Sequence, residues 1–131
     1  MIYLPTWVWV ALGGALGTLG RFWLSALVAG LFGELFPWGT LLINVTGSFA
    51  IGFFATVTDP DGTLLVKPEM RTFFMIGICG GYTTFSSFSL QTLRLAQDGQ
   101  WLAAAMNVVA SNVGCLVAVW LGHVCAVGLR R

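Results

Sequence analysis

Four long apolar stretches separated by short polar joints dominate the chain. The first runs from about Trp7 to Leu31 and the second from Trp38 to about Thr58. The third runs from about Thr72 to Leu95 and the fourth from Trp101 to about Leu129. A bilayer core about 30 Å thick takes about 20 helical residues, so each stretch predicts a transmembrane helix. Residues 1–131 then form one four-span, all-α membrane domain. The joints carry helix breakers: Gly33-Glu34-Leu35-Phe36-Pro37, then Asp59-Pro60-Asp61-Gly62 leading to Pro68-Glu69, then Gln97-Asp98-Gly99-Gln100. Tyr3, Trp7, Trp9, Trp38 and Trp101 fall near span ends, where amphipathic rings favour the headgroup zone. No Lys or Arg precedes Trp7, so the first stretch is expected to be a retained span rather than a signal peptide.

Composition supports this picture. The chain is 57% hydrophobic and 8% charged, against about 25% charged in a soluble domain. A soluble fold this small would expose more surface than so few charges can solvate. A net charge of +1 gives no reason to expect a nucleic acid as partner. Glu34, Asp59, Asp61, Glu69 and Asp98 are all placed in loops, and only Arg21 among the bases lies well inside a span. Lys67, Arg71, Arg130 and Arg131 share one predicted side, against Arg94 on the other, joined by Arg21 if it snorkels that way. So weak a bias specifies orientation poorly and permits both orientations to coexist. Cys79, Cys115 and Cys125 match no metal spacing and are expected to be small packing residues.

No acid lies inside a span, and the lone histidine, His123, falls near the end of the fourth. No Ser-His-Asp set, phosphate loop or metal cluster can be assembled, which excludes the common enzyme classes. Proton-coupled export is disfavoured too, since it needs a titratable group at membrane depth. What remains is uncharged. Thr40, Asn44, Gly47 and Ser48 share a face of the second span; Asn107, Ser111 and Gly114 share one of the fourth; Phe85, Phe88, Ser89 and Thr92 share one of the third. Such residues serve as interhelical hydrogen bonds or as the lining of a path. Three aligned stripes in so small a protein favour a path. Gly13, Gly17, Gly20, Gly77 and Gly81 give small residues at close-approach spacing, within one chain or between two.

The run Gly80-Gly81-Tyr82-Thr83-Thr84 falls near the middle of the third span. Adjacent glycines and two β-branched threonines make poor helix interior, so the helix is expected to break there. Freed backbone groups survive at membrane depth only if buried or turned to water or an ion. Carbonyls suit a cation such as Na⁺, amides an anion; a tolerated kink is the alternative. Phe85 and Phe88 lie among Ser86, Ser87 and Ser89, so their face is not simply lipid-facing. Their ring edges are partly positive and, with the Asn44 amide, suit an anion.

Several of these elements together resemble the Fluc (CrcB) family of fluoride channels over the whole chain. They are Gly13-Gly14-x-x-Gly17-x-x-x-Arg21, Gly39-Thr40-Leu41-x-x-Asn44-x-x-Gly47-Ser48-Phe49, and Gly80-Gly81-Tyr82-Thr83-Thr84-Phe85-Ser86-Ser87-Phe88-Ser89. The resemblance implies an antiparallel, dual-topology homodimer in a bacterial cytoplasmic membrane, with two fluoride pores built from both chains. It implies pore residues Phe85, Phe88 and Asn44, a hydroxyl track through Ser86, Ser89 and Ser111, and Arg21 near a pore mouth. It further implies a structural Na⁺ on the dimer axis, held by the carbonyls of Gly80 and Thr83 from each chain. The activity would be passive fluoride export, which protects against fluoride toxicity. A small proton-coupled multidrug-type exporter of dual topology is the alternative, but its first-span glutamate is missing. A non-conducting assembly subunit would leave the polar stripes without a use.

Overall fold

A computed structural model describes residues 4–130; Met1, Ile2, Tyr3 and Arg131, used above for the start of the chain, the aromatic belt and the charge count, lie outside them. The first span is α1 (Thr6–Phe32), the second α2 (Trp38–Val57) and the fourth α6 (Trp101–Gly128). At 1.5 Å per residue the 20 residues of α2 cover about 30 Å, one bilayer core. Gly33, at φ 76°, ends α1, its N–H bonding the Ala29 carbonyl at 2.9 Å. This left-handed conformation suits only a residue without Cβ.

The third span is built from pieces. It comprises α3 (Pro68–Thr72), a π-helical segment (Phe73–Cys79), α4 (Gly80–Tyr82) and α5 (Phe85–Gln97). The span thus starts at Pro68, ahead of the expected Thr72. Pro68 fits the first helical turn because its missing N–H is not needed there. Glu69 belongs to that first turn, where its charge complements the helix dipole, and so does not lie in a loop. The helix does not break at the glycines. Gly80 keeps helical geometry (φ −65°, ψ −37°), and only Thr83 and Thr84 are extended.

Glycines set the packing. A Cβ on Gly13 would lie 2.9 Å from the Gly77 Cα, and one on Gly81 would lie 3.0 Å from the Gly14 Cα. The small-residue stripes therefore join α1 to the first half of the third span within one chain. Backbones that approach this closely gain packing without a hydrophobic driving force. The same device joins α2 to α6, where a Cβ on Gly122 would lie 2.8 Å from the Phe53 nitrogen. Stacked Phe54 and Phe74, with ring centroids 4.1 Å apart, hold the π-helical segment against α2. Two arginines finish α2. Arg71 donates to the Ala55 carbonyl (3.3 Å) and to Thr58 Oγ1 (2.7 Å), and Arg130 donates to the Thr56 carbonyl (2.7 Å). Both complement the negative end of the helix dipole.

Each of the four spans buries only 11% to 33% of its most apolar window within the chain. Phe22, Trp23, Leu116 and Trp120 are among the large side chains left outside. Such a surface suits lipid or another apolar chain. One expectation needs correction. Only Cys79 is buried, Cys115 is half-buried and Cys125 is exposed, because the third cysteine sits on the outer face of α6. His123 is exposed, with Nδ1 2.9 Å from Thr56 Oγ1. Thr56 donates its own proton to the Gly52 carbonyl, so the ring N–H is the donor.

Candidate functional site

The break at Thr83–Thr84 falls halfway along Pro68–Gln97. β-Branched residues tolerate extended backbone well, and Thr84 also starts the next helix. Its Oγ1 accepts from the Ser87 N–H at 3.2 Å and donates to Ser87 Oγ at 3.1 Å, the capping role for which Thr is preferred. Asn44 of α2 holds the break from the side. Its Nδ2 donates to the Thr84 carbonyl (3.0 Å), and its Oδ1 accepts from the Thr84 N–H (2.8 Å). One side chain thus satisfies both polar groups of a buried backbone residue.

These bonds leave carbonyls at the break without helical partners. In a continuous helix the Thr84 N–H would bond the Gly80 carbonyl, and the Ser87 N–H would bond that of Thr83. Asn44 takes the first donor and the Thr84 hydroxyl takes the second. Gly80 and Thr83 therefore have carbonyls released from helical pairing. Carbonyl oxygens are hard ligands suited to hard cations, but two oxygens complete no coordination shell. Among the described residues, no group of three or more His, Cys, Asp or Glu is placed to hold a metal.

A cavity of about 390 Å³ opens beside the break. Its walls include Asn44 and Ser48 from α2, Gly80 and Thr83 from the break, Phe85 and Phe88 from α5, and Ser111 from α6. Among the described residues, no charged side chain lines it. The Phe85 and Phe88 ring centroids are 5.1 Å apart with planes inclined at 52°. Phe88 is 7% exposed and Phe85 73%, so one ring belongs to the core and the other stands on the surface. Neutral donors and ring edges around a space this size can solvate an ion but cannot perform acid–base chemistry.

Beyond the rings the polar groups form a chain. Ser111 Oγ is 3.4 Å from Asn107 Oδ1, Asn107 Nδ2 donates to Thr92 Oγ1 (2.9 Å), and Thr92 donates to the Phe88 carbonyl (2.8 Å). Asn107 is only 1% exposed. Ser89 donates to the Phe85 carbonyl at 2.9 Å, and Ser86 Oγ lies 3.3 Å from Thr84 Oγ1. Each of these hydroxyls already has an internal partner.

The cavity gathers Asn44, Phe85, Phe88, Ser111, Gly80 and Thr83. It does not include Ser86 or Ser89, both exposed on α5, nor Arg21, half-buried on α1. Thr40 lies instead on a second cavity of about 420 Å³, where the α1–α2 joint meets the α5–α6 turn, beside Gln91, Arg94, Glu34 and Asp98. Gln91 was not singled out from the sequence. Its Oε1 is buried without a hydrogen-bond partner among the described residues, which leaves an acceptor to be satisfied from outside them. An amide inside an apolar span was the available signal.

Residues 8–123 match the model of the family described as CrcB-like protein, Camphor Resistance (CrcB). A protein of Rhodospirillum rubrum named fluoride-specific ion channel FluC is 64% identical over 122 residues, covering 93% of this chain and 95% of its own length. Proteins of the same name from Opitutus terrae and Paramagnetospirillum magneticum are 64% and 62% identical. They cover 95% and 96% of this chain, and 94% and 98% of their own lengths.

Proposed function

Since the chain belongs to the CrcB family, we propose that it is a fluoride-selective ion channel that lets fluoride leave the cytoplasm passively. The observation that carries this reading is the uncharged cavity at mid-span, where an amide, hydroxyls and two phenylalanine rings meet a broken helix. Relatives this similar over nearly their whole length carry the fluoride-channel name. The activity is transport and not catalysis. A small hard anion needs strong donors to replace its water, and Asn44 keeps one Nδ2 proton beyond the one given to Thr84. Ring edges at Phe85 and Phe88 add partial positive charge. Ser86, Ser89 and Ser111 continue the track, Arg21 draws anions to a mouth, and Gln91 with Thr40 lines the far end. A negative interior drives the anion outward by about 2.3 kcal/mol per 100 mV.

The working unit is an antiparallel homodimer of oppositely inserted copies in the bacterial cytoplasmic membrane. Phe85, Ser86, Ser89 and Asn112 are all exposed at membrane depth. Polar groups there call for a protein partner rather than lipid, and the weak charge bias permits inversion. A second copy also doubles the released carbonyls of Gly80 and Thr83 to four, enough to hold one Na⁺ between chains. That ion would be structural and not transported.

Purified protein in liposomes loaded with fluoride tests the reading. Rapid fluoride efflux without a proton gradient, and none of chloride, is expected. A well-folded preparation that passes no fluoride refutes it.

A further inference from the structure

We propose that Tyr82 is a positioning residue for the break, acting through the hydroxyl of Thr46. Tyr82 is the last helical residue before the extended pair. Its hydroxyl lies 2.8 Å from Thr46 Oγ1. The single Thr46 proton is directed to the Leu42 carbonyl at 2.7 Å, with that of Ile43 at 3.2 Å. Thr46 Oγ1 is therefore the acceptor and Tyr82 the donor.

This bond completes a grip that Asn44 makes only by half. Asn44 holds Thr84, the residue after the turn in the chain, and Thr46 holds Tyr82, the residue before it. Between them Thr83 crosses Gly47, where a Cβ would collide with the Thr83 methyl and lie 3.1 Å from the Tyr82 ring. At about 100° per residue, Thr46, Gly47 and Asn44 stand at roughly 200°, 300° and 360° around α2. Their contacts Tyr82, Thr83 and Thr84 follow in the same order. The chain is wound around α2 at its break and pinned at both ends of the winding. The Thr83 carbonyl lies within the pinned stretch and that of Gly80 two residues before it. Releasing Tyr82 frees the end of α4 to move relative to Thr84 and changes the spacing of those two oxygens. The functional consequence rests on the reading that they hold Na⁺; the grip itself does not.

The test compares Tyr82→Phe, Thr46→Val and the double variant in the full-length protein, with Thr46→Ser as the conservative control. Phe keeps the ring over Gly47, so only the hydrogen bond is lost. Amide exchange across residues 79–88 is measured alongside Na⁺-dependent fluoride efflux. Loss of one net hydrogen bond corresponds to about a fivefold change in a local equilibrium. Each single variant is expected to speed exchange at Thr83 and Thr84 about fivefold and to raise the Na⁺ concentration for half-maximal efflux similarly. Saturating Na⁺ should restore efflux, the double variant should match either single one, and Thr46→Ser should match the unmodified protein. Unchanged exchange in Tyr82→Phe, or additive effects in the double variant, overturns the proposal. If the unmodified protein shows no Na⁺ dependence, the Na⁺ reading falls alone. Exchange then decides: faster exchange upholds the grip and unchanged exchange removes it.

Discussion

Gly17→Ala isolates the close approach between α1 and the broken span. A Cβ at Gly17 would collide with the Ile78 carbonyl oxygen and lie 2.8 Å from the Tyr82 nitrogen and 3.0 Å from the Ile78 carbonyl carbon. All three atoms are backbone, so no side chain can turn aside and the helices must separate. Overpacking of this kind costs about 1–3 kcal/mol. Alanine also gains about 0.8–1 kcal/mol of helix propensity over glycine, which offsets part of the loss. Gly14→Ala supplies the reference, because a Cβ there meets nothing within 4 Å. The propensity gain cancels in the difference, leaving the clash of about 1–3 kcal/mol. Gly30, equally open, gives a second reference away from the broken span. Unfolding in detergent should place Gly17→Ala below both references by that margin. Fluoride efflux from folded Gly17→Ala should fall as well, since the displaced atoms lead directly into the break. Equal stabilities for Gly17→Ala and Gly14→Ala, within about 0.5 kcal/mol, would refute the reasoning.

Three further outcomes are expected. Phe85→Ile and Phe88→Ile should each slow fluoride efflux by about twofold to tenfold, the factor for a ring-edge interaction of about 0.5–1.5 kcal/mol; cross-linking should show the dimer intact, and unchanged efflux in both would take the rings out of the path. Replacing Na⁺ with a bulky organic cation should suppress efflux reversibly, as seen in liposomes titrated back with Na⁺. Gln91→Leu should lower efflux, because it removes an amide from the proposed path; a folded variant that is equally conductive would exclude Gln91 from the path.

Lipid makes the spans legible, since it demands long apolar runs whatever the tertiary structure. The start of the third span was hidden because Lys67, Glu69 and Arg71 look like loop residues, yet a helix end at the interface accommodates charge. Gly80 and Gly81 read as breakers from local propensity. The fold uses Gly81 to bring its backbone against Gly14, so tertiary packing overrides the local preference. The break then falls on the threonines that follow. The polar stripe containing Asn44 was visible from spacing, whereas its clasp on Thr84, 40 residues away, was not. Nor does any periodicity announce the π-helical segment. The carbonyls of Gly80 and Thr83 came from resemblance, and the diverted donors at Thr84 and Ser87 give a local reason why both are released, along with others at the break.

On the proposed fluoride path, the internal partners of hydroxyls on the α5 face bear on how fast an ion can pass. Ser89 and Thr92 each give their proton to the carbonyl four residues back. To meet an anion, such a hydroxyl must rotate and surrender that bond. The bond formed then replaces one of similar kind, and the reverse exchange awaits the ion's departure. On the proposed path such exchanges would make for shallow wells, with no step climbing far out of the one before. Throughput is favoured when binding suffices to draw the ion in but not to detain it. A track of idle hydroxyls would hold the anion more tightly and pass it more slowly.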